Sequence, residues 1–194
     1  MDSVLKETVI IDDIIPKNLQ DDFHDIVMKY PSWTFVDDMS YSPTKTKYPS
    51  YGFNMLFKHP EHGVLSDLYE AVSVPIINHF LEKTKISIKD IYFNRAFLQM
   101  PLDNKFIKEH NGIHIDIPEP HYACVYYMND TDGDTILYEQ TMENTPFGSQ
   151  NVQLKEHIRV TPKKGRFVMF DGLRYHCSSQ PRDNYRCIIN FDLI

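Results

Sequence analysis

From Gly112 to the end of the chain the sequence is written in short strand-like runs, and this constrains the fold more than any other feature. Residues 113–116, 122–129, 135–139, 157–161, 166–170, 175–178 and 185–193 are rich in Val, Ile, Tyr, Phe and Thr. Turn signals sit between them at Asp132-Gly133, Lys164-Gly165 and Asp171-Gly172. Many short strands cannot bury their apolar faces singly. They must pair into sheets that pack on each other or on helices.

The N-terminal part reads differently. Residues 9–15 form a β-branched opening that fits an edge strand or an extended lead-in. Pro16 starts a helix where its missing N–H does no harm. Leu19, Phe23, Ile26, Val27 and Tyr30 follow at helical spacing, and Pro31 stops the helix. Residues 33–39 look like a strand. Residues 64–83 carry a long amphipathic helical pattern broken by Pro75, which predicts two short helices or one kinked helix. Residues 86–100 are strand-like, with Asn94, Arg95 and Gln99 set against apolar neighbours. The pattern predicts an α+β, mainly β chain. Its core is a double-stranded β-helix (jelly roll) over about residues 91–194, with N-terminal helical support over about residues 1–90 packed on one face. At 194 residues the expectation is a single domain over 1–194.

Two loops stand apart. Residues 41–51 hold prolines and tyrosines among polar residues and fit neither a helix nor a central strand. Such a loop is either a lid over a site or plain surface. Residues 141–154 read as a polar insertion.

Charge and cysteine usage narrow the function classes. A net charge of −7 argues against a nucleic-acid groove, which needs a basic face. Cys124, Cys177 and Cys187 are odd in number and lack metal-site spacing, so they fit a reducing compartment and a buried role. The first residues lack the basic and apolar regions of a signal peptide, and the apolar runs are too short to span a bilayer. The expectation is a cytoplasmic chain without a membrane partner.

The chemistry-bearing residues are His114-Ile115-Asp116, His176 and Arg186. Two imidazoles and one carboxylate can occupy one face of an octahedron and leave three positions open, the ligand set of non-haem Fe(II) oxygenases. Arg186 adds a permanent cation with a planar fork suited to a carboxylate. Strand alternation places Arg186, Ile188 and Asn190 on one face, and Cys187, Ile189 and Phe191 on the other. Cys177 points away from its neighbour His176. His110 and His114 are four apart but flank Asn-Gly-Ile, with no Glu, so the helical zinc-protease motif is absent. His79, His121 and His157 read as structural or exposed. Arg182, Arg159 and Arg174 are weaker rivals to Arg186 as a carboxylate anchor.

With these residues in place, the C-terminal half resembles the 2-oxoglutarate- and Fe(II)-dependent dioxygenases, in their prolyl hydroxylase-like branch. The matching order is His114-Ile-Asp116, Tyr126-Tyr127-Met128-Asn129, Gly133-Asp134-Thr135, Gly165-Arg166-Phe167-Val168-Met169-Phe170, Tyr175-His176, Pro181 and Arg186. Asp134 departs from the pattern, which often has a second glycine there. The resemblance implies that His114, Asp116 and His176 ligate Fe(II), and that Arg186 pairs with the distal carboxylate of 2-oxoglutarate. Tyr127 matches a tyrosine that assists that carboxylate. It further implies hydroxylation of a C–H bond with O₂, release of succinate and CO₂, and support by ascorbate. Asp116 disfavours halogenation, because a small residue in that slot would be needed to admit halide. The substrate class implied is a prolyl residue of a peptide or protein. Open alternatives are a free amino acid or other small molecule, and a non-catalytic binding module. A cupin-like metal protein is a further alternative, in which Arg186 would have no role.

Overall fold

The computed structural model describes residues 7–39, 51–103, 105, 110–146 and 153–194. In chain order the elements are β1 (Val9–Ile11), α1 (Lys17–Lys29), β2 (Thr34–Val36), β3 (Gly52–His59), β4 (Gly63–Val64), a π-helical turn (Tyr69–Ser73) and α2 (Val74–Thr84). They continue with β5 (Ile91–Gln99), β6 (Tyr122–Tyr127), β7 (Thr135–Thr141), β8 (Glu156–Val160), β9 (Phe167–Asp171), β10 (Arg174–Ser178) and β11 (Arg186–Leu193). Among the described residues the larger sheet runs β1-β9-β6-β11-β5-β3-β2, with β4 beside β3, and the smaller runs β10-β7-β8. An antiparallel bridge between His114 and His176 adds a fourth position to the smaller sheet beside β10.

The chain shuttles between the sheets. It passes from β5 in the larger sheet to the His114 bridge in the smaller, back to β6, across to β7 and β8, then alternates through β9, β10 and β11. This is the winding of a double-stranded β-helix, as the strand grammar predicts. Side-chain alternation gives the central strands two different faces. On β11, Cys187, Ile189, Phe191 and Leu193 join the main core. That core also takes Phe23 and Val27 from α1, and Ile76, Ile77 and Phe80 from α2. The rings of Phe80 and Phe167 stack with centroids 4.5 Å apart, pinning α2 to β9. Each such fully buried aromatic contributes about 1.5–3 kcal/mol of transfer free energy. The opposite face of the larger sheet packs Val125, Val168 and Ile188 with Leu137 and Val160 of the smaller sheet, and the site lies beside this second core.

The N-terminal part supplies more than helices, since β1 to β4 extend the larger sheet at both ends. The strand β3 is absent from the sequence reading. Its buried residues Gly52, Met55 and Phe57 do not alternate simply, because the register slips between Leu56 and Lys58. The helical pattern expected from residue 64 begins later. Val64 lies in β4, paired with Lys58. Pro75 has no N–H to give, and the backbone meets that deficit with the π-helical turn that precedes α2. The strand expected over 33–39 contracts to Thr34–Val36. Ile26 is exposed rather than core, whereas Phe23 and Val27 of its stripe are buried and Leu19 and Tyr30 pack partly buried against the core. Nearly all of the 41–51 loop, and part of the 141–154 insertion, lie outside the described residues. No described helix is long and apolar enough to cross a membrane.

Candidate metal and carboxylate site

His114, Asp116 and His176 meet at one point. Their ligand atoms all lie within 4.8 Å of one another. The bridge carries this juxtaposition: the His114 N–H donates to the His176 carbonyl and the reverse bond closes the pair, both at 3.0 Å. The two rings are thereby brought to a centroid separation of 4.6 Å. The His-x-Asp spacing then returns the carboxylate to the same side as the first imidazole. Oδ2 of Asp116 sits 3.3 Å from Nε2 of His176, and Oδ1 sits 4.0 Å from Nε2 of His114.

The second nitrogen of each imidazole is committed. Nδ1 of His114 faces the Gly112 carbonyl at 2.9 Å, and Nδ1 of His176 faces the Arg174 carbonyl at 3.0 Å. A carbonyl only accepts, so both Nδ1 atoms carry the proton and donate it. In the neutral ring this leaves the lone pair on Nε2. Two lone pairs therefore converge on an anionic carboxylate. Such a cluster needs a cation or a shared proton among its donors. Fixing the tautomer through the distal nitrogen is how ligating histidines are oriented. Burial first, and the neighbouring His176 second, hold His114 down to a pKa of about 4. Burial works against ionised Asp116, but His176 and the Arg95 guanidinium outweigh it and keep the carboxyl well below its ordinary range. The donor set and its spacing fit a first-row divalent ion, for which nitrogen and oxygen ligands lie about 2.0–2.2 Å away in the case of zinc.

The triad opens into a cleft on the inner face of the larger sheet, and Arg186, Ile188, Asn190, Phe97 and Thr135 line the same cleft. Arg186 is 5% exposed. Its Nε donates to the Gly133 carbonyl at 2.7 Å, and its Nη2 donates to Oγ1 of Thr135 at 2.9 Å. A Cβ on Gly133 would lie 2.8 Å from Cδ of Arg186, so the glycine makes room for the guanidinium stem. Burial works against the charge of Arg186, and among the described residues no carboxylate pairs with it. A buried unpaired charge is costly, by several kcal/mol for a single ion. Arg186 therefore gives this end of the cleft a buried cation.

Tyr127 stands behind this anchor rather than in the cleft. It is fully buried, and its hydroxyl donates to Oγ1 of Thr135 at 2.7 Å. Arg186 lies over its ring at 5.8 Å. Thr135 Oγ1 thus accepts from both Tyr127 and Arg186. Both acceptor positions of the hydroxyl are used and its own proton is left to donate. The sequence reading missed Thr135. It also missed Arg95, which lines the cleft and donates from Nη2 to Oδ1 of Asp116 at 2.6 Å. A signal for Arg95 was present in its strand parity, since Arg95, Phe97 and Gln99 all face the cleft.

The rival residues are accounted for. Arg159 pairs with Glu156 and with Asp134, the residue that departs from the family pattern. Arg174 donates to the Tyr138 carbonyl, and Arg182 is exposed. His79 faces the Pro75 carbonyl on α2, and His157 is exposed. His121 is buried against Asp192 at 3.5 Å, a structural pair. Cys177 packs with Ile136, Tyr138 and Tyr175, and Cys187 lies in the main core.

No protein-family profile and no curated protein matches the chain. Solved structures do. An oxidoreductase of the 2OG-Fe(II) oxygenase family from Burkholderia pseudomallei is similar over 96% of this chain and 84% of that one, with 10% identity and a TM-score of 0.62. The non-heme alpha-ketoglutarate-dependent epimerase SnoN from nogalamycin biosynthesis gives a TM-score of 0.67 at 10% identity, over 96% of this chain and 78% of that one. A prolyl-4-hydroxylase from Pseudomonas putida gives 0.56 at 14% identity, over 96% and 91%. The fold is therefore that of the 2-oxoglutarate- and Fe(II)-dependent oxygenases, the prolyl hydroxylases among them, as the sequence resemblance implies.

Proposed function

We propose that this chain is a single-domain 2-oxoglutarate- and Fe(II)-dependent dioxygenase that hydroxylates a C–H bond, with a prolyl residue of a peptide or protein as its substrate class. The observation that carries the reading is the sharing of one cleft by two sites. One is a His-Asp-His cluster with both Nδ1 atoms held, and the other is a buried guanidinium lacking a carboxylate. A 2-oxo acid has a chelating end for the first and a carboxylate for the second.

In this reading His114, Asp116 and His176 hold Fe(II). Arg186, helped by the Thr135 hydroxyl, binds the distal carboxylate, and Tyr127 acts through Thr135 by holding its oxygen. Fe(II), 2-oxoglutarate and O₂ together supply the oxidative decarboxylation to succinate and CO₂ that drives the hydroxylation. The backbone carbonyls of Gly112 and Arg174 keep both imidazoles in the ligating tautomer. Phe170 packs its ring against His176 with centroids 5.0 Å apart and shields that side of the ligand cluster. The apolar cleft walls at Phe97 and Ile188 limit water around the reacting carbon. A free amino acid or other small molecule is the alternative substrate class, which the likeness to an epimerase of nogalamycin biosynthesis keeps in view.

The test is succinate formation from 2-oxoglutarate with Fe(II), ascorbate and O₂, using a panel of proline-containing peptides. Peptide-stimulated succinate with a one-oxygen mass gain on the peptide is expected. Fe(II)-dependent turnover stimulated by free amino acids and by none of the peptides would move the substrate to the alternative class.

A further inference from the structure

The fold fixes the two histidines through backbone pairing, but it does not fix Asp116 that way. Residues 115–121 carry no strand, and among the described residues the regular pairing of this segment stops at His114. The Asp116 side chain is nevertheless only 5% exposed. What holds it is Arg95, from the neighbouring strand β5. The Arg95 backbone is anchored in the sheet by its register with Asn190 of β11 and Leu56 of β3. Its guanidinium carbon lies 4.5 Å from the ring centre of Phe93 and 5.0 Å from that of Phe97. Two aromatic contacts of this kind favour the arrangement that keeps the guanidinium beside both rings. The restrained fork then places Nη2 at 2.6 Å from Oδ1 of Asp116.

The two carboxylate oxygens are thereby made unlike. Oδ1 accepts a charge-assisted hydrogen bond, and Oδ2 points toward Nε2 of His176 at 3.3 Å. We propose that Arg95 is a positioning residue for the metal centre: it occupies Oδ1 of Asp116 and so presents Oδ2 as the single carboxylate donor beside the two histidines. A carboxylate free to turn could offer both oxygens and close one of the positions that the co-substrate and O₂ require. The inference rests on the metal-site reading above and adds to it a residue outside the ligand set.

The experiment is an anaerobic Co(II) titration of the full chain, followed by the ligand-field absorption of the bound ion. It compares wild type with Arg95→Met and Arg95→Lys, beside Asp116→Ala. Outer partners of metal ligands are worth about 10–100-fold in metal affinity. Arg95→Met is expected to lose that much, with an altered Co(II) spectrum and an unchanged circular dichroism spectrum. Arg95→Lys keeps a cation but not the planar fork, and is expected to fall between wild type and Arg95→Met. Should Arg95→Met fail to fold, Arg95→Lys carries the test alone, with weakened Co(II) binding expected. Variants that fold and bind Co(II) with wild-type affinity and spectrum would overturn the proposal while leaving the metal site intact. Absence of Co(II) binding by wild type itself would instead sink the reading of the site, and this proposal with it.

Discussion

Two places among the described residues bring two histidines and one acid within 4.8 Å: the His114-Asp116-His176 cluster and the His59-Glu61-His62 turn between β3 and β4. Each offers two imidazoles and one carboxylate, but their surroundings differ. In the turn, Nδ1 of His59 accepts the Glu61 N–H at 3.2 Å, so the neutral ring carries its proton outward on Nε2. The His59 and His62 rings lie nearly parallel at 4.8 Å, stacked rather than convergent, and Glu61 and His62 are exposed. In the cleft cluster both Nδ1 protons are spent on carbonyls, the carboxylate is held by an arginine, and a second, buried guanidinium lines the same cleft. Counting ligands does not separate the two. The second nitrogen of each imidazole and the contents of the cleft do.

The strongest way to break that contrast is to remove a ligand from each cluster. Asp116→Ala or His176→Ala is expected to abolish Fe(II)-dependent succinate formation, whereas His59→Ala with His62→Ala should leave it unchanged and move stability by no more than about 0.5 kcal/mol. Loss of turnover in the turn variant would show that the wrong cluster has been chosen. Next in size is the anion end of the cleft. Arg186→Met removes the buried guanidinium of the cleft and should weaken 2-oxoglutarate binding by about 2–5 kcal/mol, read by isothermal titration with Mn(II) in place of Fe(II).

Acidity sharpens the contrast further. His114 has a folded-state pKa of about 4, below the ordinary 6.5. Between those values the unfolded chain binds the extra proton, so the metal-free protein should lose stability as pH falls from 6.5 towards 4. The effect reads as a steeper fall in urea midpoint than in a His114→Asn variant, and equal slopes would contradict the lowered pKa of that imidazole. The smallest effect expected is that of Tyr127→Phe. It deletes one hydrogen bond to Thr135 and should cost about 0.5–1.5 kcal/mol in 2-oxoglutarate affinity. A loss as large as that of Arg186→Met would mean that Tyr127 touches the ligand itself.

Much of this site is legible in the sequence because it depends on periodicity. The alternation of β11 put Arg186, Ile188 and Asn190 on one face, and those three residues line the cleft. The turn glycines and the short β-rich runs located the strands from Gly112 onward to within a few residues. What stayed hidden depends on contacts between distant segments. Arg95 and Asp116 are joined by a crossover between sheets, and nothing in either local pattern marks them as a pair. Tyr127 and Thr135 illustrate the same limit. Tyr127 follows the family order, yet which of the two faces the cleft is decided by packing. Strand β3 escaped because a register slip erased its period of two, and Val64 was absorbed into a helical pattern because it pairs as part of a two-residue strand.

The most direct measurement is anaerobic equilibrium binding of Fe(II) and 2-oxoglutarate to wild type, Asp116→Ala and Arg186→Met. The account predicts one Fe(II) held by wild type and by Arg186→Met but not by Asp116→Ala. It also predicts 2-oxoglutarate bound tightly only where both the metal and Arg186 are present. Fe(II) retained by Asp116→Ala, or 2-oxoglutarate bound equally well without Arg186, would contradict it.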